Sequence, residues 1–323
     1  MAFYGWPFSQ CQSLATSLGV QLASGIRVID IRLAVVDGHL IAYHGIWPER
    51  TPFQQMLTTV HDFLTSPLTS SETVVMSIKQ EDFAKTALPY FSQCVHDEIM
   101  GGPGGRDMWF LENRIPNLGE VRGKVVMLSR FGGDGSQWEN GLEGLGIHPT
   151  AWPDSDKDGF TWTLNGTLVR TQDWYDIPSF LSIPKKMQLA SENLLLPTGE
   201  QPSPTLNISF FSAASIPFAL PTTVARGFGW PKWHMGIEGV NGRVGKWLLD
   251  NLTGSGDQTQ NTQAKSEEGG TLDVSPAGNS VEDDVRIRGW AMMDFYADPG
   301  DSVVPLLVEC NFHGRKSGEE GWP

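Results

Sequence analysis

An α/β barrel is the fold class this sequence predicts, and three observations carry it. Short β-branched runs recur that are apolar on both faces, as parallel strands covered by helices require. Between them lie segments whose apolar residues keep the helical period. The length, 323 residues, suits one barrel of about 250 residues with insertions, although length alone would also allow two average domains.

The predicted strands are Ile26–Leu33, Leu40–Tyr43, Thr73–Ile78, Lys124–Leu128, Thr167–Thr171, Leu206–Phe211 and Trp290–Phe295. The clearest helix is Phe53–Thr65, in which Phe53, Met56, Leu57, Val60, Phe63 and Leu64 fall at helical spacing. Strand alternating with helix implies a parallel sheet, either closed or open and doubly wound. An open sheet would usually carry a glycine fingerprint after its first strand, and none is there. Gly101–Gly105 is Gly-rich but follows a helical segment and contains proline, which reads as a loop. From 254 to 284 the chain has almost no large apolar residues and an excess of acid, the composition of a disordered surface insertion. Strand-like sequence resumes at Trp290, so 1–323 reads as a single domain with that insertion inside it.

The net charge of −14 makes the averaged surface repel nucleic acid and anionic headgroups, so any phosphate chemistry must use local positive charge. No run approaches the roughly 18 apolar residues of a membrane-spanning helix. Met1–Val20 has no basic start followed by an apolar stretch. Cys11, Cys94 and Cys310 are widely spaced without a paired CxxC pattern, which argues for buried thiols, at most one disulfide, and no zinc site.

The chemistry concentrates at strand ends. Asp30 and Arg32 stand two apart in a strand, so both point to one face, the barrel interior. Such charges in an otherwise apolar strand are costly unless they meet a partner or a ligand. His44 ends the next strand. Lys79 and Glu81 leave the end of Thr73–Ile78, Arg130 follows Lys124–Leu128, Asp173 and Tyr175 follow Thr167–Thr171, and Asp294 lies near the end of the last strand. Each alone has a plain reading: a strand-end arginine is often a loop tether and a single histidine is more often packed than catalytic. Convergence on the rim where barrel enzymes hold their active sites argues for a site.

The segments GIRVIDIRL, YHG, VVMSIKQE, GKVVMLSRF, QDWYDI and MMDF, in that order, resemble the X-box catalytic domain of phosphatidylinositol-specific phospholipase C in its bacterial and fungal metal-independent form. The resemblance implies a TIM-like barrel of the phospholipase-C-like phosphodiesterase type. It also implies cleavage of phosphatidylinositol-type lipids to diacylglycerol and a cyclic inositol phosphate, by one histidine acting as base and a second as acid. By motif position His44 resembles the general acid, Arg32 the group that neutralises the phosphate, Asp30 the associated carboxylate, and Asp294 the carboxylate that orients the base. Lys79, Arg130, Asp173 and Tyr175 match headgroup-binding positions, and Glu81 is a partner for Lys79 or Arg32. The implied partners are a phosphoinositide or glycosyl-phosphatidylinositol lipid and a membrane surface, with no nucleic acid and a monomeric chain. Trp47, next to His44, is a candidate membrane contact or a rim residue packed on the following helix.

Arg32 also bears on metals. Calcium-dependent relatives place an acidic ligand here, whereas a guanidinium repels a divalent cation and offers a bidentate phosphate contact. At about 4 Å and an effective dielectric near 20, one such pair contributes on the order of 4 kcal/mol before desolvation. No metal and no cofactor are therefore expected.

One departure stands against the resemblance. The family's general-base histidine sits in a PGTHDS-like turn after the first strand, and this sequence begins just past the matching position, so that the first strand and its histidine are expected to be missing. Either the natural protein is longer and active, or this form binds headgroups without turning them over. Loss of a general base lowers rate by roughly 10²–10⁴.

Overall fold

The structure is a computed structural model and describes residues 9–135, 144–195, 205–230, 235–254 and 286–314. The expected acidic insertion lies outside the described residues apart from its first position. Two sheets carry the architecture. In the first, β1 (Val28–Val36) runs parallel to β4 (Val74–Gln80), and β4 parallel to β6 (Val125–Arg130). In the second, β8 (Thr167–Gln172), β9 (Thr205–Phe210) and β12 (Trp290–Met292) are parallel in that order. The short β5 (Trp109–Phe110) lies beside β6, and β7 (Phe160–Leu164) pairs antiparallel with β8 at the other edge.

Every predicted strand exists, but one runs the other way. β2 (His39–His44) is antiparallel to β1, and β3 (Trp47–Pro52) is antiparallel to β2. The reason is the two-residue connection Asp37-Gly38, both at positive φ (50° and 81°), which makes a hairpin turn and is far too short for a parallel crossover. The hairpin brings His44 back down alongside β1, toward Arg32, instead of leaving it at the far end of a neighbouring parallel strand.

Burial along β1 alternates as a period of two requires. Ile29, Ile31 and Leu33 pack outward under α2 (Phe53–Thr65) and α3 (Leu88–Gly101), with α1 (Leu18–Ala23) alongside. The opposite face holds Val28, Asp30 and Arg32. Beyond β8, β9 and β12, the second outer layer is α4 (Ile183–Glu192), α6 (Val240–Leu252) and α7 (Val303–Glu309). Between the two sheets a shared interior gathers Val75, Val126, Leu128, Val169, Ile208, Phe210 and Met292. The sheets thus curl around one core with helices outside, and β1 lies next to β12. No helix among the described residues is long and apolar enough to cross a membrane.

Register fixes the site's floor. Arg32 is opposite Lys79 and Lys79 is opposite Arg130 across three parallel strands, while Asp30 is opposite Ser77. Three cations therefore stand in one row on the inner face, one step above an aspartate and a serine.

Candidate active site

Asp30 is the anchor of the charged row. Its Oδ2 accepts from Arg32 Nε at 3.0 Å and its Oδ1 accepts from Ser77 Oγ at 2.6 Å. Arg130 Nη1 lies 3.6 Å from the same Oδ1. Burial alone would raise the Asp30 pKa, but Arg32, Arg130 and the Ser77 hydroxyl outweigh it and hold the carboxyl well below its usual range. Arg32 Nη1 also donates to Glu81 Oε1 at 3.3 Å, and Lys79 Nζ is 3.7 Å from that oxygen. Burial opposes its charge, yet Asp30 and Glu81 keep the guanidinium firmly protonated. Glu81 serves both candidate partners, Arg32 and Lys79, at once. Lys79 is shifted down by burial and by the neighbouring Arg32.

Arg130 extends the network to the second sheet. Its Nη2 donates to Asp173 Oδ2 at 3.1 Å, and its guanidinium lies over the Trp152 ring at 4.1 Å from the centroid. Trp152 Nε1 donates to the same Asp173 oxygen at 2.9 Å. The side chains of Arg130 and Asp173 are only 4% and 3% exposed, so this pair is a buried brace. Tyr175 is partly exposed and its hydroxyl donates to Asp154; burial, then that carboxylate, push its pKa up to about 12.

His44 is held from its Nδ1 side. That nitrogen donates to the Ser9 carbonyl at 2.7 Å, with Cys11 Sγ at 3.5 Å, which leaves Nε2 as the proton-free nitrogen of the neutral ring. Burial first, and the Arg32 charge second, lower its pKa to about 4. Asp294 sits nearby, reached through Cys11, whose thiol hydrogen-bonds it. Burial pushes Asp294 up to about 7, against the pull of Arg32. The same burial, with Asp294 as a neighbour, raises the Cys11 thiol well above its ordinary value.

Asp294 reaches this place because β12 stops before it. The predicted strand runs to Phe295, but Phe295 has φ 47°, a left-handed conformation that ends the extended run. Asn241 Nδ2 donates to the carbonyls of Asp294 and Phe295, both at 2.9 Å. Phe295 N–H donates to the Cys11 carbonyl at 2.7 Å, and Gln12 Nε2 donates to the Met293 carbonyl at 3.2 Å. The Cys11-Gln12 segment is thus fastened across the turn.

Cys11, Asp30, Arg32, His44, Tyr175 and Asp294 open onto one cavity of about 580 Å³, which continues down between β1 and β12. Lys79 and Glu81 adjoin it through their ion pairs with this set, and Arg130 and Asp173 brace it from behind. Trp47 pairs opposite His44 in the β2–β3 hairpin and is partly buried, while its neighbour Ile46 is 82% exposed at the turn. The three cysteines are free, and Cys11 is a partly exposed cavity residue, where a buried thiol was expected. Trp152, Asp154 and Ser77 were not anticipated; the first two come from a loop without periodic signal. Among the described residues no cluster of three or more His, Cys, Asp or Glu could hold a metal ion.

Comparison with known proteins agrees with the motif reading. Residues 8–131 match the family described as phosphatidylinositol-specific phospholipase C, X domain. A 1-phosphatidylinositol phosphodiesterase of Listeria monocytogenes is 32% identical over 123 residues, 38% of this chain and 37% of that protein. One from Staphylococcus aureus is 28% identical over 159 residues, 48% of this chain and 49% of that protein. The matched region thus spans less than half of these curated relatives. Among solved structures, a mutant phosphatidylinositol-specific phospholipase C from S. aureus superposes with a TM-score of 0.63 at 17% identity, over 95% of this chain and 86% of that one. The Listeria monocytogenes enzyme gives 0.51 at 20%, over 94% and 85%. At such identities the likeness concerns the fold, and it is the TIM barrel of the bacterial enzymes.

Proposed function

We propose that this chain, whose residues 8–131 match the X domain of phosphatidylinositol-specific phospholipase C and resemble bacterial 1-phosphatidylinositol phosphodiesterases, is a phosphoric diester hydrolase acting on phosphatidylinositol-type lipids. The observation that carries the reading is Arg32. It is a permanently charged guanidinium on the cavity wall, fixed by Asp30 at 3.0 Å and Glu81 at 3.3 Å, beside the only histidine among the described residues that lines the cavity.

In this reading the phosphodiester takes the exposed part of Arg32, and the anion relieves the positive field that depresses His44. A bound phosphate therefore raises the His44 pKa and prepares Nε2 to carry a proton to the glycerol oxygen. The inositol hydroxyl next to phosphorus attacks it and gives its proton to water in the cavity; the phosphorus–glycerol bond breaks as the glycerol oxygen takes the proton carried on His44 Nε2, and the products are diacylglycerol and a cyclic inositol phosphate. Asp294, near 7, is a group that exchanges protons at neutral pH on the cavity side opened by Cys11. Lys79 and Tyr175 contribute to headgroup binding, and Arg130 with Asp173 holds the floor on which it rests. Arg32, with Lys79 beside it, takes the part of charge neutralisation that a divalent ion has elsewhere, so this reading requires no metal. Trp47 and the exposed Ile46 flank the cavity as lipid contacts.

A second reading rests on a specific observation. The family chemistry uses two histidines, and His44 is the single described one on the cavity, which suits a barrel that binds the headgroup without turning it over. One experiment separates the two: phosphorus NMR of phosphatidylinositol in detergent micelles, with chelator present. Cyclic inositol phosphate release supports the hydrolase; binding of inositol phosphate without release supports the second reading. Activity abolished by the chelator would overturn the metal-free mechanism.

A further inference from the structure

The segment from Ser9 to Gln12 forms neither helix nor strand, so its place is set by what its backbone and side chains hold. Two hydrogen bonds do this, and they bracket Asp294. The Phe295 N–H donates to the Cys11 carbonyl at 2.7 Å, and Gln12 Nε2 donates to the Met293 carbonyl at 3.2 Å. Asn241, at the start of α6, holds the same turn through the carbonyls of Asp294 and Phe295. The chain reaches that helix from β9 by way of α5 (Pro221–Arg226) and a two-stranded ribbon, β10 (Gly227–Trp230) and β11 (Met235–Glu238). Asp294 is therefore clamped through backbone groups, and the side chain that meets its carboxylate across the clamp is Cys11.

The surroundings of this thiol differ from those of the other two. Cys94 and Cys310 pack among apolar residues of the outer layers, whereas Cys11 lines the cavity. Its Sγ lies 3.5 Å from His44 Nδ1, and its S–H donates to the Asp294 carboxylate. The Ser9 carbonyl is also 3.5 Å from Sγ but is engaged at 2.7 Å by His44 Nδ1, and a charged acceptor wins the thiol hydrogen over a neutral one. Burial, then the Asp294 charge, raise the thiol pKa well above its ordinary value, so at neutral pH Cys11 is an uncharged donor. One sulfur thus touches two groups of the cavity that exchange protons, the carboxylate with its hydrogen and the ring with its weakly accepting lone pairs.

We propose that Cys11 is a positioning residue, whose thiol joins Asp294 and His44 into one hydrogen-bonded unit. This deepens the function proposed above and rests on it for the reaction the two groups serve. A thiol that donates to a carboxylate stabilises the charged form, opposing the burial that pushes Asp294 up to about 7. Arg32 and Asp30 from β1 and Lys186 from α4 are further charges felt with Asp294, and Arg32 and Glu81 are felt at His44. Those charges act through space, whereas the thiol is in contact with both groups.

Carbon-13 NMR of the Asp294 carboxyl in the parent, Cys11→Ala and Cys11→Ser tests the proposal. The clamp uses the Cys11 backbone carbonyl and the Gln12 side chain, so neither variant removes it. Losing the donor in Cys11→Ala should move the Asp294 midpoint up by about one pH unit, a tenfold tighter hold on the proton. Cys11→Ser should return it toward the parent value. The His44 nitrogen-15 shifts of the parent should show, besides their own step, a smaller one where Asp294 ionises, and Cys11→Ala should lose it. A reciprocal measurement starts from Asp294→Asn, which removes the carboxylate that holds the thiol proton. Iodoacetamide should then alkylate Cys11 several-fold faster at about pH 8, because the thiolate is the reacting form. A thiol that only fills space would leave all of these readings as in the parent. An unmoved Asp294 midpoint in Cys11→Ala, no return in Cys11→Ser, or an unchanged alkylation rate in Asp294→Asn would each overturn the proposal. Cleavage of a soluble inositol phosphodiester tests the catalytic reading separately. With an active parent, Cys11→Ala should lower kcat by about tenfold with KM little changed, and an unchanged kcat would overturn the positioning role. If the parent cleaves nothing while the NMR midpoints move as expected, the catalytic reading fails and the linkage through Cys11 stands.

Discussion

Asp30 lies between two guanidiniums, accepting from Arg32 Nε at 3.0 Å on its own strand and facing Arg130 Nη1 at 3.6 Å two strands away. One carboxylate is thus shared by two cations that point into the barrel, each of which has a second partner in Glu81 or Asp173. Asp30→Asn keeps the shape and removes the charge, leaving Arg32 and Arg130 to repel each other. The expected cost is about 3 kcal/mol, the scale for breaking a buried pair from one side, read as a lower urea midpoint with an unchanged slope.

His44 gives a pH prediction with a defined sign. Its folded pKa, about 4, is below the ordinary value of 6.5, so the native state resists a proton that the unfolded chain accepts. Stability should fall as pH drops from 6.5 toward 4. Asp294 acts oppositely: its folded value, about 7, is above 3.8, so the stability it contributes at low pH is lost as pH rises toward 7. Nitrogen-15 NMR of the imidazole should place the His44 midpoint near pH 4. Arg32→Met should move the midpoint upward but not to 6.5, because burial remains; an unmoved midpoint would remove Arg32 as a cause.

His148 supplies the contrasting histidine. It is buried, with Nδ1 2.7 Å from Ser129 Oγ and Nε2 2.7 Å from the Gly133 carbonyl, away from the cavity residues. His148→Ala should lower stability by about 1–3 kcal/mol, the cost of orphaned buried polar groups. Inositol phosphate affinity, measured by calorimetry on the folded variant, should stay as in the parent.

Much of this was readable in the chain because strand physics is local. The two-residue period of β1 places Asp30 and Arg32 on one face before any coordinates, and the apolar runs ending in Lys79 and Arg130 announce where β4 and β6 stop. The register that lines up Arg32, Lys79 and Arg130 is a property of strand pairing between distant segments, which no local pattern encodes. The direction of β2 is set by Asp37-Gly38, a two-residue turn whose positive φ values the apolar pattern of the flanking strands does not report. Trp152 and Asp154 reach the site from an aperiodic loop. Cys11 arrives through backbone hydrogen bonds to the turn after β12, a contact 284 positions away at Phe295.

Headgroup positioning gives a further expectation. Tyr175 is partly exposed and its hydroxyl reaches only Asp154, so Tyr175→Phe should leave stability within about 0.5 kcal/mol. If the tyrosine helps hold the sugar, KM for a soluble inositol phosphodiester should change more than kcat. The reverse split would place Tyr175 among the groups acting on the reacting atoms.

The most direct measurement is calorimetric titration of inositol phosphate, with chelator present, into the parent chain and into Arg32→Ala. A charge-assisted contact to phosphate contributes about 1.5–3 kcal/mol, so affinity should fall by about 10- to 150-fold in the variant while the parent binds without added metal. Equal affinity in the two proteins would contradict the placement of the phosphate on Arg32, and with it both the hydrolase reading and the headgroup-binding one.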